Sequence, residues 1–236
     1  TGHVDVMVSV GNNFFYTKSL PCSLWFFDKS KREELLDNVL FIDARNYYTV
    51  VDRTLNEWSE WQLKNLNAIV WLYRGNTDKY HALMDEYAET LAGRDFAAVL
   101  SQLEEQKTQL AAEAKEAAAA APRKEKKSVE ASYAQKAEEL DKSIQVAKEA
   151  VWLHEKFGDG TYADIPGLCK VATRSEIEAN GYSLTPGAYV GVAPTADDGV
   201  DFHERMTEIH KELLSLQAES NRLMENISKN WEELGL

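Results

Sequence analysis

The run Val4-Asp-Val-Met-Val-Ser-Val10, closing on Gly11-Asn12-Asn13, decides how the rest of the chain is read. It is rich in β-branched residues, places apolar and polar side chains in alternation and stops at a turn signal, so it predicts a strand. Ser23-Leu-Trp-Phe-Phe-Asp28 and Asn38-Val-Leu-Phe-Ile-Asp43 follow at strand length and are almost continuously apolar, the pattern of strands covered on both faces. Three strands do not complete a domain. Between the last two, Lys29 to Leu36 reads as a turn or two of helix, with Lys31-Arg-Glu-Glu34 as a solvated charge run.

Residues 1–56 therefore read as an α/β stretch, and beyond them the period turns helical. In residues 57–94, Ser59 and Gln62 have capping-box spacing, Leu63, Leu66, Ile69, Val70 and Tyr73 form an apolar stripe, and Gly75 stops the helix. Asp78 is the expected cap of a second helix through Leu83, Tyr87 and Leu91, closed by Gly93. Residues 95–156 read as an antiparallel helical hairpin ~40 Å long at ~1.5 Å per residue. Its arms carry Phe96, Leu100, Leu103 and Leu110, then Val129, Tyr133, Leu140, Ile144, Ala147 and Val151, with the reversal forced near Pro122. The basic tip, Arg123 to Lys127, reads as a solvated loop; nucleic-acid contact is the alternative.

Residues 157–200 are rich in Gly and Pro, with one short helix from Thr173 to Ala179 and otherwise loop or edge strand. Residues 201–236 form one long helix in which Phe202, Met206, Ile209, Leu213, Leu216, Ser220, Leu223, Ile227, Asn230 and Leu234 recur at alternating spacings of four and three. A seam of that period calls for partner helices along its length, a coiled-coil helix. Cover by the 95–156 hairpin within the chain is the alternative.

The 236 residues carry 26 Lys and Arg against 39 Asp and Glu, a formal charge of -13, so autonomous binding to DNA is disfavoured. No apolar run reaches the ~20 residues of a membrane helix and no signal peptide opens the chain, so a soluble, cytoplasmic protein is expected. Cys22 and Cys169 have no paired spacing and read as free thiols. The five histidines lack metal-ligand spacing, Gly158-Asp-Gly160 reads as a plain turn, and there is no P-loop or nucleophile elbow. The chain holds no complete active site.

One stretch nevertheless carries a family signature. Gly11-Asn-Asn-Phe-Phe-Tyr-Thr-Lys-Ser-Leu-Pro-Cys-Ser-Leu-Trp-Phe-Phe27 strongly resembles the methylation subunit of type I restriction-modification systems. The resemblance continues through Val39 to Asn46, Ile165 to Thr173, Glu176 to Gly191 and the final helix, with the 95–156 hairpin as its variable part. It implies an S-adenosylmethionine-dependent adenine-N6 DNA methyltransferase that assembles with a specificity subunit and, for cleavage, a restriction subunit. It also implies that residues 1–56 are the last strands of a Rossmann-like methyltransferase sheet.

The family's Asn-Pro-Pro-aromatic motif is absent, since Pro21, Pro122, Pro166, Pro186 and Pro194 include no adjacent pair. The glycine-rich cofactor turn and the N-terminal helical domain would lie upstream of Thr1. The expectation is a C-terminal piece that binds no cofactor itself and is inactive alone, and the non-Met start fits that. By the resemblance, Phe14 to Thr17 lies beside the target-base pocket, with Phe15 and Tyr16 as candidates to stack on the extruded adenine; core aromatics at a strand end are the alternative. The family's C-terminal helices pack on the specificity subunit, which makes Ile209, Leu213, Leu216, Leu223 and Ile227 the expected interface. Orphaned strands would favour self-association. A non-catalytic coiled-coil regulator derived from such a subunit is the rival reading.

Overall fold

A computed structural model describes residues 2–15, 18–122, 126–193 and 202–233, and the chain divides into two compact units, residues 1–193 and 194–236. In chain order the first unit contains β1 (Val4–Val10), β2 (Cys22–Phe27), β3 (Asn38–Ala44), β4 (Thr49–Asp52) and β5 (Leu55–Glu57). Then come α1 (Glu60–Tyr73), α2 (Thr77–Thr90), α3 (Phe96–Ala120), α4 (Lys126–Phe157), β6 (Cys169–Thr173) and α5 (Arg174–Ala179). The second unit is described by one helix, α6 (Phe202–Glu233).

Four strands make a small mixed sheet of order β2-β1-β3-β6. β1 runs antiparallel to β2, with Val8 opposite Leu24, and parallel to β3, with Val8 opposite Ile42. β6 closes the other side antiparallel to β3, with Leu40 opposite Val171. Alternation of side chains across the pleat divides the core in two. Val6, Val8, Leu40 and Ile42 pack with Leu66, Ile69 and Leu72 of α1, and Tyr80, Tyr87, Leu153 and Phe157 extend that cluster. On the opposite face Met7, Val39, Phe41 and Ala172 are covered by Ile177, Tyr189 and Val190, with the Phe41 and Tyr189 rings stacked at 4.0 Å.

Local signals set the helix starts. Ser59 accepts from the Gln62 amide while the Gln62 side chain accepts from the Ser59 amide, and Thr173 and Glu176 repeat the arrangement at α5. Asp95 accepts from the Ala98 amide at the head of α3. α3 and α4 form the expected hairpin, tied by Lys107–Asp141 (2.5 Å) and Lys148–Glu104 (3.5 Å). Gly158 to Gly160 is a turn that ends α4, with the Tyr80 hydroxyl donating to the Gly158 carbonyl.

Four expectations are corrected. β2, whose apolar run predicts cover on both faces, pairs with β1 alone among the described residues and leaves Leu24, Trp25, Phe26 and Phe27 exposed. The charge run is not all solvated: Lys31 is 8% exposed, donates to the Val4 carbonyl (2.8 Å) and the Asn38 carbonyl, and stands 3.6 Å from the buried Asp5 carboxylate. Asp5 also accepts from Arg74, and a carboxylate inside the sheet end needs such cations. Burial lowers the Lys31 pKa against the pull of Asp5. In α1, Leu63 is exposed while Gln62 and Asn65 are buried, because Gln62 accepts from Thr49 and the Ser59 amide while Asn65 meets Tyr87 of α2 and Glu149 of α4. Finally, α2 begins one residue before Asp78, with Asn76 at its cap position.

Candidate functional site

The parallel strands β1 and β3 end side by side, with Val10 opposite Ala44, and their following segments meet there. Carboxyl ends of parallel strands are where open α/β sheets place their sites. A Cβ at Gly11 would stand 2.6 Å from the Arg45 carbonyl oxygen, so glycine is required for this approach. The same contact sets the two backbones directly against each other at this end of the sheet.

Asn12 and Asn13 turn the chain, with Asn13 at φ +63°, and both carbonyls are held by one residue. The Asn56 backbone amide donates to the Asn13 carbonyl (2.8 Å) and its side-chain Nδ2 to the Asn12 carbonyl (3.0 Å). Asn56 is 8% exposed and lies in the β4–β5 hairpin, an element that sequence reasoning missed.

Phe14 sits against Trp58, ring centroids 4.9 Å apart, and meets Tyr48 edge to face at 5.9 Å. Trp58 is fixed in turn by its indole N–H, which donates to the Tyr47 carbonyl (2.7 Å). Phe15, by contrast, is 47% exposed. The neighbouring aromatics Phe14 and Phe15 thus have different situations, one packed and one open. Tyr16, the second stacking candidate, lies outside the described residues.

Behind this loop is a polar network. The Tyr47 hydroxyl donates to Glu149, Asn65 Nδ2 donates to the Tyr47 hydroxyl (2.9 Å) and the Glu149 carbonyl (3.0 Å), and the Tyr87 hydroxyl donates to Asn65 Oδ1 (2.9 Å). Burial raises the pKa of Glu149, opposed by the hydrogen bonds from Tyr47, Gln62 and Asn65. Burial and the neighbouring Glu149 likewise raise that of Tyr47. Tyr47 also stacks on Trp152 at 4.2 Å. Asp43, at the end of β3, receives Nε (2.8 Å) and Nη2 (2.6 Å) of Arg45.

A cleft of about 330 Å³ lies between β2 and α1, lined by Leu24, Phe26, Leu63 and Val70 with Asn67 and Arg74. Among the described residues no cluster of His, Cys, Asp and Glu can hold a metal ion, and no helix is long and apolar enough to cross a membrane. Cys22 and Cys169 are free, and burial pushes the Cys169 thiol up to about 11.

In α6 the candidates Ile209, Leu213, Leu216, Leu223 and Ile227 are all exposed. Leu214, Met224 and Trp231 are exposed too and were not singled out in the sequence. Each follows a seam position by one residue, which widens the stripe to one side by the helical period of 3.6.

The small mixed sheet flanked by helices is compatible with an α/β methyltransferase-like piece. Residues 1–110 match the family described as N-6 DNA Methylase. The chain is 26% identical over 229 residues to the methylase subunit of the type I restriction enzyme MjaIX of Methanocaldococcus jannaschii, covering 97% of this chain and 26% of that protein. It is 42% identical over 90 residues to the methylase subunit of the type I restriction enzyme HindI of Haemophilus influenzae, covering 38% of this chain and 20% of that protein. The resemblance to type I methylation subunits is thus borne out, and the matched stretches span only about a quarter and a fifth of the length of these two curated relatives.

Proposed function

We propose that the chain is the C-terminal portion of the methylation subunit of a cytoplasmic type I restriction-modification system, an adenine-N6 DNA methyltransferase using S-adenosylmethionine. The observation that carries this reading is similarity along 97% of the chain to a methylase subunit of which it covers only 26%. The bare strand β2 supports it. An edge strand with large apolar side chains on both faces suits a sheet whose neighbouring strand belongs to another part of the protein.

Methylating the adenine amino group requires the base to leave the duplex and be gripped by stacking. The half-exposed Phe15, in the loop after β1, is the side chain of this chain suited to that contact, with Tyr16 beside it in sequence. S-adenosylmethionine supplies the methyl group and is held by residues elsewhere in the intact subunit. The long helix α6 serves assembly: Ile209, Leu213, Leu216, Leu223 and Ile227 pack on helices of the specificity subunit, and the breadth added by Leu214, Met224 and Trp231 suits a bundle better than a single partner helix. Contact with DNA and the restriction subunit comes through that complex, which is consistent with a formal charge of -13.

Leu213→Glu combined with Leu216→Glu in the full-length subunit is expected to abolish copurification of the specificity subunit while leaving the melting of residues 1–193 unchanged. Undiminished copurification would refute the assembly role.

A further inference from the structure

We infer that the β4–β5 hairpin is a positioning element for the loop after β1, acting through Asn56 and the Phe14 aromatic cluster to hold Phe15 at the target base. The inference rests on the reading of Phe15 as the stacking residue and adds the device that keeps it in place. A two-stranded hairpin is marginal by itself, so its persistence here depends on what it docks against. Its valines do not supply that docking: Val50 and Val51 are exposed. Its buried residue is Asn56, whose two donors both go to consecutive carbonyls of the Asn12-Asn13 turn. Buried amide groups committed in this way fix a backbone at a defined position, because losing the partner leaves them unsatisfied.

The aromatic contacts act in the same sense. Trp58 immediately follows β5, Tyr48 immediately precedes β4, and the two rings meet Phe14 at the open end of the hairpin, where Thr49 pairs with Glu57. The Tyr48 end is anchored to the helical core by its neighbour Tyr47, which bonds to Asn65 of α1 and Glu149 of α4. A continuous set of contacts therefore runs from α4 through Tyr47, Tyr48 and Trp58 to Phe14. Phe15, the next residue, is left open to solvent beyond it. Stacking on an extruded base needs a ring held in place before the base arrives, and a misplacement of ~1 Å costs up to ~100-fold in rate.

The test uses Asn56→Ala and, as a second route to the same loop, Phe14→Leu, each in the full-length subunit assembled with its specificity subunit. Active sites are titrated with cofactor so that a folding loss does not register as a rate loss. The expected result is an approximately tenfold fall in kcat for DNA methylation with unchanged cofactor binding. The fluorescence rise of 2-aminopurine at the target position should weaken in parallel. In the 236-residue chain, amide exchange across residues 11–18 should quicken in both variants. Normal kcat and normal 2-aminopurine signal in both variants, or unchanged exchange in that loop, would overturn the inference. Phe15→Ala in the same assay separates the two levels. If it impairs methylation while Asn56→Ala and Phe14→Leu do not, the hairpin role alone falls; if it is silent, the stacking assignment falls and takes the hairpin role with it.

Discussion

β2 and β3 look alike as text and differ as structure. Ser23-Leu-Trp-Phe-Phe27 and Val39-Leu-Phe-Ile42 are both unbroken apolar runs. Yet Phe41 is 0% exposed whereas Trp25 and Phe27 are 54% and 63% exposed. The cause is position. β3 lies between β1 and β6 and is covered on both faces, while β2, among the described residues, is the edge of the sheet and has β1 on one side only. An apolar pattern states what a strand is suited to contact, and the fold determines whether that contact is made within these residues.

Three experiments probe this contrast between covered and uncovered surface. Phe41→Ala removes a ring packed on Tyr189 at 4.0 Å and should lower unfolding stability by about 3–5 kcal/mol in a denaturant titration. A loss below about 1 kcal/mol would mean that β3 is no better packed than β2. Glu149→Gln sharpens the contrast on the polar side. Burial raises the folded-state pKa of Glu149 above its unfolded value, so its contribution to stability is full below the unfolded pKa and is lost as pH rises through the folded one. The Gln variant lacks that loss; its melting temperature relative to wild type should climb from pH 4 to pH 7, and a flat difference would contradict the burial of this carboxylate. The smallest effect is expected from Trp25→Ser with Phe27→Ser, which should change the stability of the 236-residue chain by no more than about 0.5 kcal/mol while reducing any concentration-dependent association seen by sedimentation. In the full-length subunit the same pair should cost ~3 kcal/mol or more if β2 is covered there.

Much of the architecture was legible because it is governed by neighbours in sequence. The Ser59–Gln62 and Thr173–Glu176 capping boxes form with both of their hydrogen bonds, Asp95 caps α3, and α3 ends at Ala120, just before Pro122. What escaped was governed by distant partners. Lys31 looks like part of a solvated run until β1 brings Asp5 beside it. Asn56 and Asn65 are ordinary polar residues in sequence, and they become buried donors only when the Asn12-Asn13 turn and Tyr47 reach them. The strands β4 and β5 are four and three residues long, and the turn between them, Arg53-Thr54, lacks the Asn-Gly or Asp-Gly pair that marks a hairpin. At the candidate site, the Phe14-Phe15 pair was visible, but which ring is packed and which is open depends on Tyr48 and Trp58.

The pairing of Asn38 with Thr173 across β3 and β6 has a bearing on how the protein is made. During synthesis β3 emerges long before the strand that completes its far edge, and the whole α3–α4 hairpin is translated in between. Helical contacts are local and form quickly, whereas a ladder between distant segments waits for loop closure. Docking of Cys169–Thr173 is therefore expected to be the slow step of refolding, and a nascent chain halted before residue 169 would present Met7, Val39 and Phe41, whose cover by Ile177, Tyr189 and Val190 comes later in the chain, to chaperones.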